Sequence, residues 1–438
     1  MEIRPISWFS ELTPEKFLIF DQMKQKVKES YILSWFLPIE TPVVERKETL
    51  LSKWGDDNEI YGVHRLSGEK DEAELALRFD LTVPLARYVA QYESQLKFPF
   101  KRCHIDRVWR GERAQTGRAR EFYQADVDII GREKLPLFAD VEVIFTVYSA
   151  LKNINFWEFI IHLNNKKILI GYLDAIGIED AKKQAVITLI DKKDKLKQAK
   201  KDIGPMFWEI IDAKSTAWVM DFIEIEWKGY QEKIGFFQKF SNEMLREWME
   251  ELQYVYSKLL ELWVDGQSIV FNNSIARGLN YYTWTLLETF ITGAREYGSI
   301  ASWGRYENLV WSFSKNAFPG VWVSIWLTRL YQILDVIGKL DAKQLSYTQV
   351  LVLNIDERYI NTLLSTVKQL REKGVVTEIY LDGEAKMKKQ LEYANAKWIP
   401  LVVIAWEEEM KEWVFAVKNL TTGEQKKIKQ EDILSIVI

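Results

Sequence analysis

Arginines and carboxylates gather in this chain at places where polar side chains are unexpected. Asp80 and Thr82 come first. Arg110, Glu112, Arg113, Arg118, Arg120, Gln124 and Asp128 follow between positions 110 and 128, and Arg277 and Arg329 come late. Charges along strands are uncommon unless they line a cleft. Guanidinium groups beside carboxylates suit a polyphosphate or an anionic transition state, with Mg2+ held by an acid such as Glu112. Any one of these arginines alone is equally well read as half of a surface ion pair, which is common and weak. The whole set in one hairpin reads as a site. The chain has no Gly-x-x-x-x-Gly-Lys-Ser/Thr loop and no Gly-x-Gly-x-x-Gly after a strand, which disfavours P-loop and Rossmann nucleotide binding. No Ser-His-Asp or Cys-His pair presents itself. Cys103 and His104 are adjacent, but neighbours in a strand point to opposite faces, so both are read as structural.

The elements that must position these residues follow from hydrophobic spacing. Residues 13–34 read as a helix: Thr13 caps it, Pro14 suits its first turn, and Phe17, Phe20, Met23, Val27 and Tyr31 recur at helical spacing. Residues 39–44 look extended, with Pro42 favouring an edge or a bulge. Residues 75–79 are strand-like, and Thr82 leads into a helix entered at Pro84. Residues 108–112 are expected as a strand, 113–118 as a charged turn and 120–130 as the returning strand. Alternation puts Phe122, Gln124, Asp126 and Asp128 on one face of that strand, which is therefore no plain core face. Residues 139–151 read as a helix apolar on one side. From about 165 to 264 the pattern is largely helical with lysine-rich stretches, and it reads as an inserted domain. Past a linker at about 342–346, strands at 350–353, 376–380, 401–404 and 414–417 alternate with helices at 358–373 and 387–396, as in a compact α/β domain.

Composition bounds the alternatives. At 438 residues the chain exceeds what one core normally supports, so two or three domains are expected. With 59 Lys+Arg against 63 Asp+Glu, it does not coat nucleic acid through bulk charge, although a local basic patch remains compatible with RNA binding. One cysteine excludes an internal disulfide and any multi-cysteine metal site, and three histidines make no zinc cluster. No apolar run is long enough to span a bilayer and the N-terminus has no signal core, so a soluble cytoplasmic protein without membrane contact is expected.

The polar segments resemble the class II aminoacyl-tRNA synthetases. Ile39-Glu-Thr-Pro42 is similar to their first motif, whose proline lies at a dimer interface. Arg110-Gly-Glu-Arg113 with Arg120-Glu-Phe122 resembles the second, and Pro319 to Arg329 the third. Two further segments, Arg277-Gly-Leu-Asn-Tyr-Tyr-Thr-Trp284 running on to Glu288 and Leu77-Arg-Phe-Asp-Leu-Thr-Val-Pro-Leu-Ala-Arg87, narrow the resemblance to the histidyl-tRNA synthetases. The resemblance implies an α/β (α+β) fold, an antiparallel class II sheet flanked by helices. It implies a catalytic domain at 1–331 with a helical insertion at about 170–264, a linker at 332–346, and a mixed-sheet anticodon-binding domain at 347–438. The implied activity is ATP-dependent ligation of L-histidine to tRNA(His) through a histidyl-adenylate, releasing AMP and diphosphate, by a homodimer using ATP and Mg2+. Position by position, Arg110 and Arg277 match catalytic arginines. Arg110, Glu112, Arg118 and Arg329 match ATP contacts, Glu112 with a possible link to Mg2+. Asp80, Thr82, Arg110, Gln124, Asp128, Arg277, Tyr281 and Tyr282 match the histidine pocket. The competing readings are a regulatory subunit of ATP phosphoribosyltransferase, which typically lacks both the histidine signature and the anticodon-binding domain, and a tRNA-binding pseudoenzyme.

The chain departs from that family in one direction. It has only 21 Gly but 18 Trp, and Trp8, Trp35, Trp54, Trp263, Trp284, Trp303, Trp311, Trp322, Trp326, Trp398, Trp406 and Trp413 fall where the family typically has Gly. Asn280 stands where the family has Asp, whereas Trp109 matches a family tryptophan. Trp303 falls in what the family makes a glycine-rich turn beside the substrate. Glycine serves where φ is positive or backbone approaches a ligand, and an indole meets neither need. The expectation is that these codons are UGA, decoded as glycine in the source cell. The rival is a genuine tryptophan-rich pseudoenzyme.

Overall fold

The computed structural model describes all residues except 1–2, 53–58, 68–73, 114–116, 157, 194–195, 197–200, 228–229, 238, 241, 276–284, 308–309, 311–312, 341–345, 408–410, 413, 430–431 and 434–438. Arg277, Tyr281, Tyr282, Trp54, Trp284, Trp311, Trp413 and most of the expected 342–346 linker therefore lie outside the described residues. The chain divides into two compact units. One comprises residues 1–11 and 23–339, the other Leu12–Gln22 and Leu340–Ile438. The expected linker 332–346 opens inside a helix that continues to Val336.

The strands of the larger unit, in chain order, are β1 (Leu37–Pro38), β2 (Val44–Arg46), β3 (Gly62–Val63), β4 (Leu75–Leu77), β5 (Phe100–Trp109), β6 (Glu121–Ile130), β7 (Phe159–Asn165), β8 (Glu226–Trp227), β9 (Ile269–Asn272), β10 (Thr285–Ile291), β11 (Ala301–Tyr306) and β12 (Gly320–Trp326). Nine of them form one sheet in the order β1-β5-β6-β12-β11-β10-β7-β9-β8, while β2-β4-β3 form a small second sheet. From β5 through to β7 every pairing is antiparallel. Two differences from the sequence reading stand out. The strand expected at 108–112 runs from Phe100 to Trp109, because Arg102 and His104 face inward and hide the alternation. The glycine-rich turn expected around Trp303 is strand β11.

The helices expected at 13–34 and 139–151 form, the one expected from Pro84 begins at Thr82, and a short helix at Lys47–Leu51 is unexpected. They are α1 (Pro14–Leu33), α2 (Lys47–Leu51), α3 (Thr82–Tyr92) and α4 (Phe138–Asn153) before the insertion. The insertion is largely helical: α5 (Lys166–Ala175), α6 (Asp180–Asp191), α7 (Gly204–Trp208), α8 (Ala213–Glu224), α9 (Tyr230–Phe237) and α10 (Glu243–Glu261), with β8 alone among its described residues joining the main sheet. The last helix of this unit is α11 (Leu327–Val336). Helix α4 packs on the β6–β12 face that carries Val127 and Val323, both fully buried. That leaves the opposite face of these strands, with Gln124, Asp126 and Asp128, for a site.

In the smaller unit, β13 (Val350–Val352), β14 (Thr377–Ile379), β15 (Leu401–Ile404), β16 (Val414–Asn419) and β17 (Gln425–Lys429) form a sheet ordered β14-β13-β15-β16-β17. β13 is parallel to β14 and β15, and the last two pairings are antiparallel, which makes the sheet mixed. Helices α12 (Ile360–Glu372) and α13 (Met387–Ala396) supply Leu363, Val367, Leu370 and Ala394 to its core.

Candidate active site

The site is built on the β5–β6 hairpin and its neighbour β12. Cross-strand register sets Arg102 opposite Asp128, His104 opposite Asp126 and Asp106 opposite Gln124. On the other side, Trp322, Ser324 and Trp326 stand opposite Asp128, Asp126 and Gln124. Partners directly opposite in an antiparallel pair share a face, so these residues form one polar field. Within it Arg102 Nη2 lies 2.6 Å from Asp128 Oδ2, an ion-pair contact without hydrogen-bond alignment. Tyr306 O–H donates to Asp128 Oδ1 at 3.5 Å, and Gln124 Nε2 donates to Ser324 Oγ at 3.2 Å. Gly320 has no side chain because a Cβ there would meet the Tyr306 ring at 2.2 Å.

A cleft of about 510 Å³ opens over this field. Asp80, Thr82, Arg110, Glu112, Arg118, Gln124 and Arg329 line it, so seven expected site residues come together. Asp80 and Thr82 arrive with α3: the Asp80 carboxylate accepts the Thr82 and Val83 N–H groups at 3.2 and 3.0 Å and so caps the helix start. The arginines form the mouth. Arg110 donates from Nε to Phe79 O at 3.0 Å, and its guanidinium lies 5.3 Å over the Phe122 ring. Glu112 sits between Arg110 and Arg118 at 3.6 and 3.8 Å. Arg329, on α11, donates to Gly117 O at 2.6 Å and to Ser299 O at 2.7 Å, which brings the third motif against the hairpin loop.

Asp128 departs from the expectation. It is fully buried and does not line the cleft, where its strand partner Trp322 does. Trp303 does line the cleft as expected, although its partner Val323, opposite Val127 in turn, belongs to the core face, and its buried Nε1 has no hydrogen-bond partner. Arg113 is exposed, and neither it nor Arg120 lines the cleft. Sequence reasoning missed Arg102, Tyr306 and Ser324. The signal for Arg102 was available, since a buried aspartate row demands a buried cation. His104, read as structural, sits on the polar face, and burial lowers its pKa.

The field is electrostatically lopsided. Asp80, Asp126 and Asp128 are buried, and the buried guanidinium acting on all three is Arg102, while the buried Arg78 lies 2.6 Å from Asp106. Burial raises the Asp80 carboxyl above its ordinary value, against the Val83 N–H and Arg110. Burial pushes Asp126 up to about 7 and Asp128 up to about 6, only partly offset by Arg102. Such a floor favours a cationic guest, while the mouth favours an anionic one. A stability consequence follows. Between the ordinary carboxyl range and these raised values only the unfolded chain ionises, so stability falls as pH rises through that window and levels off above it. The Tm of the ligand-free protein is expected to drop between about pH 4 and about pH 7, and Asp126→Asn to flatten the drop. A Tm that rises over the same range, with the same slope in the variant, contradicts this assignment.

Among the described residues, no group of three or more His, Cys, Asp or Glu could hold a metal ion. No helix among the described residues is long and apolar enough to cross a membrane.

Residues 8–330 match the family model for histidyl-tRNA synthetase and residues 349–438 the model for an anticodon binding domain. The chain is 38% identical to a histidine–tRNA ligase of Finegoldia magna, covering 97% of this chain and 96% of that one. A histidine–tRNA ligase of Stenotrophomonas maltophilia is 37% identical, over 97% and 95%. The crystal structure of histidyl-tRNA synthetase from Nostoc sp. PCC 7120 superposes with a TM-score of 0.90 at 32% identity, covering 100% of this chain and 99% of that chain. A Bacillus halodurans structure described as an ATP phosphoribosyltransferase regulatory subunit/histidyl-tRNA synthetase has a TM-score of 0.72 at 18% identity, over 90% and 97%, a likeness of fold alone. The chain belongs to the histidyl-tRNA synthetase family.

Proposed function

We propose that this chain ligates L-histidine to tRNA(His) in two ATP-dependent steps. The observation that carries the reading is a cleft lined by Asp80, Thr82 and Gln124 beside the buried Asp126 and Asp128, an acidic floor, with Arg110, Arg118 and Arg329 as its arginine mouth. The floor suits a substrate with an ammonium group and an imidazole, both N–H donors, for which Asp80, Thr82, Gln124 and, once accessible, Asp128 are acceptors. The mouth suits a triphosphate, with Arg110 at the α-phosphate and Arg118, Arg329 and Glu112 towards the distal phosphates and their Mg2+. Arg277, Tyr281 and Tyr282 are proposed to complete the histidine pocket.

In the first step a histidine carboxylate oxygen attacks the α-phosphorus, the bond to the bridging oxygen breaks, and diphosphate leaves. In the second a ribose hydroxyl of the tRNA 3′ end attacks the histidyl carbonyl, and AMP leaves with its oxygen. Neither step needs a protein nucleophile. Positioning and cationic stabilisation of the phosphoryl transition state supply the catalysis, and Mg2+ bound with ATP adds charge neutralisation there. Arg110 and Arg277 carry that role in this proposal.

The partners follow from the remaining surfaces. Strand β17 exposes Lys426, Lys427 and Lys429 at the edge of the smaller unit, a surface suited to tRNA phosphates. β1 is the edge of the main sheet, and exposed Leu33 and Leu37 beside it suit a second copy of the chain. A light-scattering mass of one 51.6 kDa chain would contradict the dimer. The two-step reaction is tested by incubating protein with ATP and labelled histidine without tRNA. Protein-bound adenylate that discharges when tRNA is added is expected. Transfer that occurs only when all three substrates are present together, with no adenylate trapped, contradicts it.

A further inference from the structure

Six described residues other than glycine have a positive φ, and four of them are tryptophan: Trp8 at 70°, Trp35 at 62°, Trp263 at 64° and Trp398 at 56°. Left-handed backbone brings Cβ against the carbonyl oxygen and is a genuine outlier for a bulky residue. Three of the four share one hydrogen-bond pattern. After α1, Trp35 N donates to Ile32 O and Phe36 N to Tyr31 O. After α10, Trp263 N donates to Leu260 O and Val264 N to Leu259 O. After α13, Trp398 N donates to Asn395 O and Ile399 N to Ala394 O. This is the Schellman closure of a helix, whose left-handed position glycine normally fills.

The same chain makes this closure elsewhere with glycine. Gly177, Gly338 and Gly374 follow α5, α11 and α12 with the same two bonds, at φ of 80°, 69° and 80°. The indoles offer no compensation, since Trp35, Trp263 and Trp398 are 81%, 92% and 65% exposed. Trp109 shows what a tryptophan with a role looks like: it is buried in β5, and its Nε1 donates to Glu121 at 2.9 Å.

We propose that positions 8, 35, 263 and 398 are glycine in the protein the cell makes, their codon being decoded as glycine, and that the same decoding extends to 322 and 326 in the cleft. There the indoles occupy functional space. The Trp326 ring lies 4.0 Å from the Arg329 guanidinium, and its Nε1 is buried without a hydrogen-bond partner. The Trp322 ring packs on Ile275 and Leu286, and it lines the cleft from which its strand partner Asp128 is shut off. Glycine at both opens the acidic floor and releases Arg329. Only this last consequence rests on the proposed activity.

Two measurements decide the matter. Tandem mass spectrometry of the protein from its source cells is expected to give glycine at 35, 263 and 398 and tryptophan at 109, with UGA at the first three codons and UGG at the last. Tryptophan at all four overturns the proposal. With recombinant protein, Trp35→Gly, Trp263→Gly and Trp398→Gly are each expected to raise Tm by about 1–3 °C, whereas alanine, which keeps the Cβ, does not match the gain. Equal effects of glycine and alanine overturn the assignment of these backbones to glycine.

Discussion

A chain carrying Trp322→Gly and Trp326→Gly is expected to catalyse histidine-dependent ATP–diphosphate exchange at least about 100-fold faster than the tryptophan-containing chain. Two obstructions are removed together. At 326 the indole stacks on Arg329, a residue the third motif assigns to ATP, and at 322 the indole stands on the strand position opposite Asp128. Misplacing a positioning group by about 1 Å already costs about 100-fold, and an indole displaces far more than that. The gain should appear in kcat/KM for both histidine and ATP, because 322 and 326 obstruct the floor and the mouth respectively. Trp406→Gly, on ordinary backbone outside the cleft, serves as the control and should leave the rate unchanged. Equal rates in all three chains would show that the indoles do not obstruct the site.

In that opened chain, Arg110→Ala is expected to lower the exchange rate about 1000-fold. The side chain is held from three sides: Nε on Phe79 O, the guanidinium over Phe122, and Glu112 beside it. It therefore presents a fixed cation to developing phosphoryl charge at no reorganisation cost. Lysine cannot reproduce the planar fork, so Arg110→Lys should recover little of the loss. Arg110 is partly exposed and buries no core surface, so the Tm of Arg110→Ala should stay close to that of the parent. A loss below about tenfold with unchanged Tm would remove Arg110 from the transition state.

Much of this was legible in the sequence, for definite reasons. Helix α1 announced itself through Phe20, Met23, Val27 and Tyr31, all of which are buried. The alternation of Gln124, Asp126 and Asp128 gave the polar face of β6 correctly. The mouth was legible because Arg110, Glu112 and Arg118 sit in one hairpin and need only a local turn to meet. The beginning of β5 was not legible, because a strand with Arg102 and His104 turned inward shows no apolar alternation. Tyr306 was missed because its role depends on Gly320, which sits opposite it only through the β11–β12 register. The burial of Asp128 was equally invisible, since it follows from what stands on β12. The tryptophans split by backbone. Trp8, Trp35, Trp263 and Trp398 take left-handed φ, whereas Trp303, Trp322, Trp326 and Trp406 do not. At 303 and 326 the case against an indole is an unpaired buried Nε1–H, and at 322 and 326 it is space in the cleft.

The central claim is that the acidic floor and the arginine mouth together select and activate histidine. It is tested most directly by ATP–diphosphate exchange across the full set of amino acids, with protein from the source cells. Exchange supported by histidine alone, abolished by Arg110→Ala and weakened in histidine KM by Asp80→Asn, is the expected result. Exchange with another amino acid and none with histidine would contradict the account.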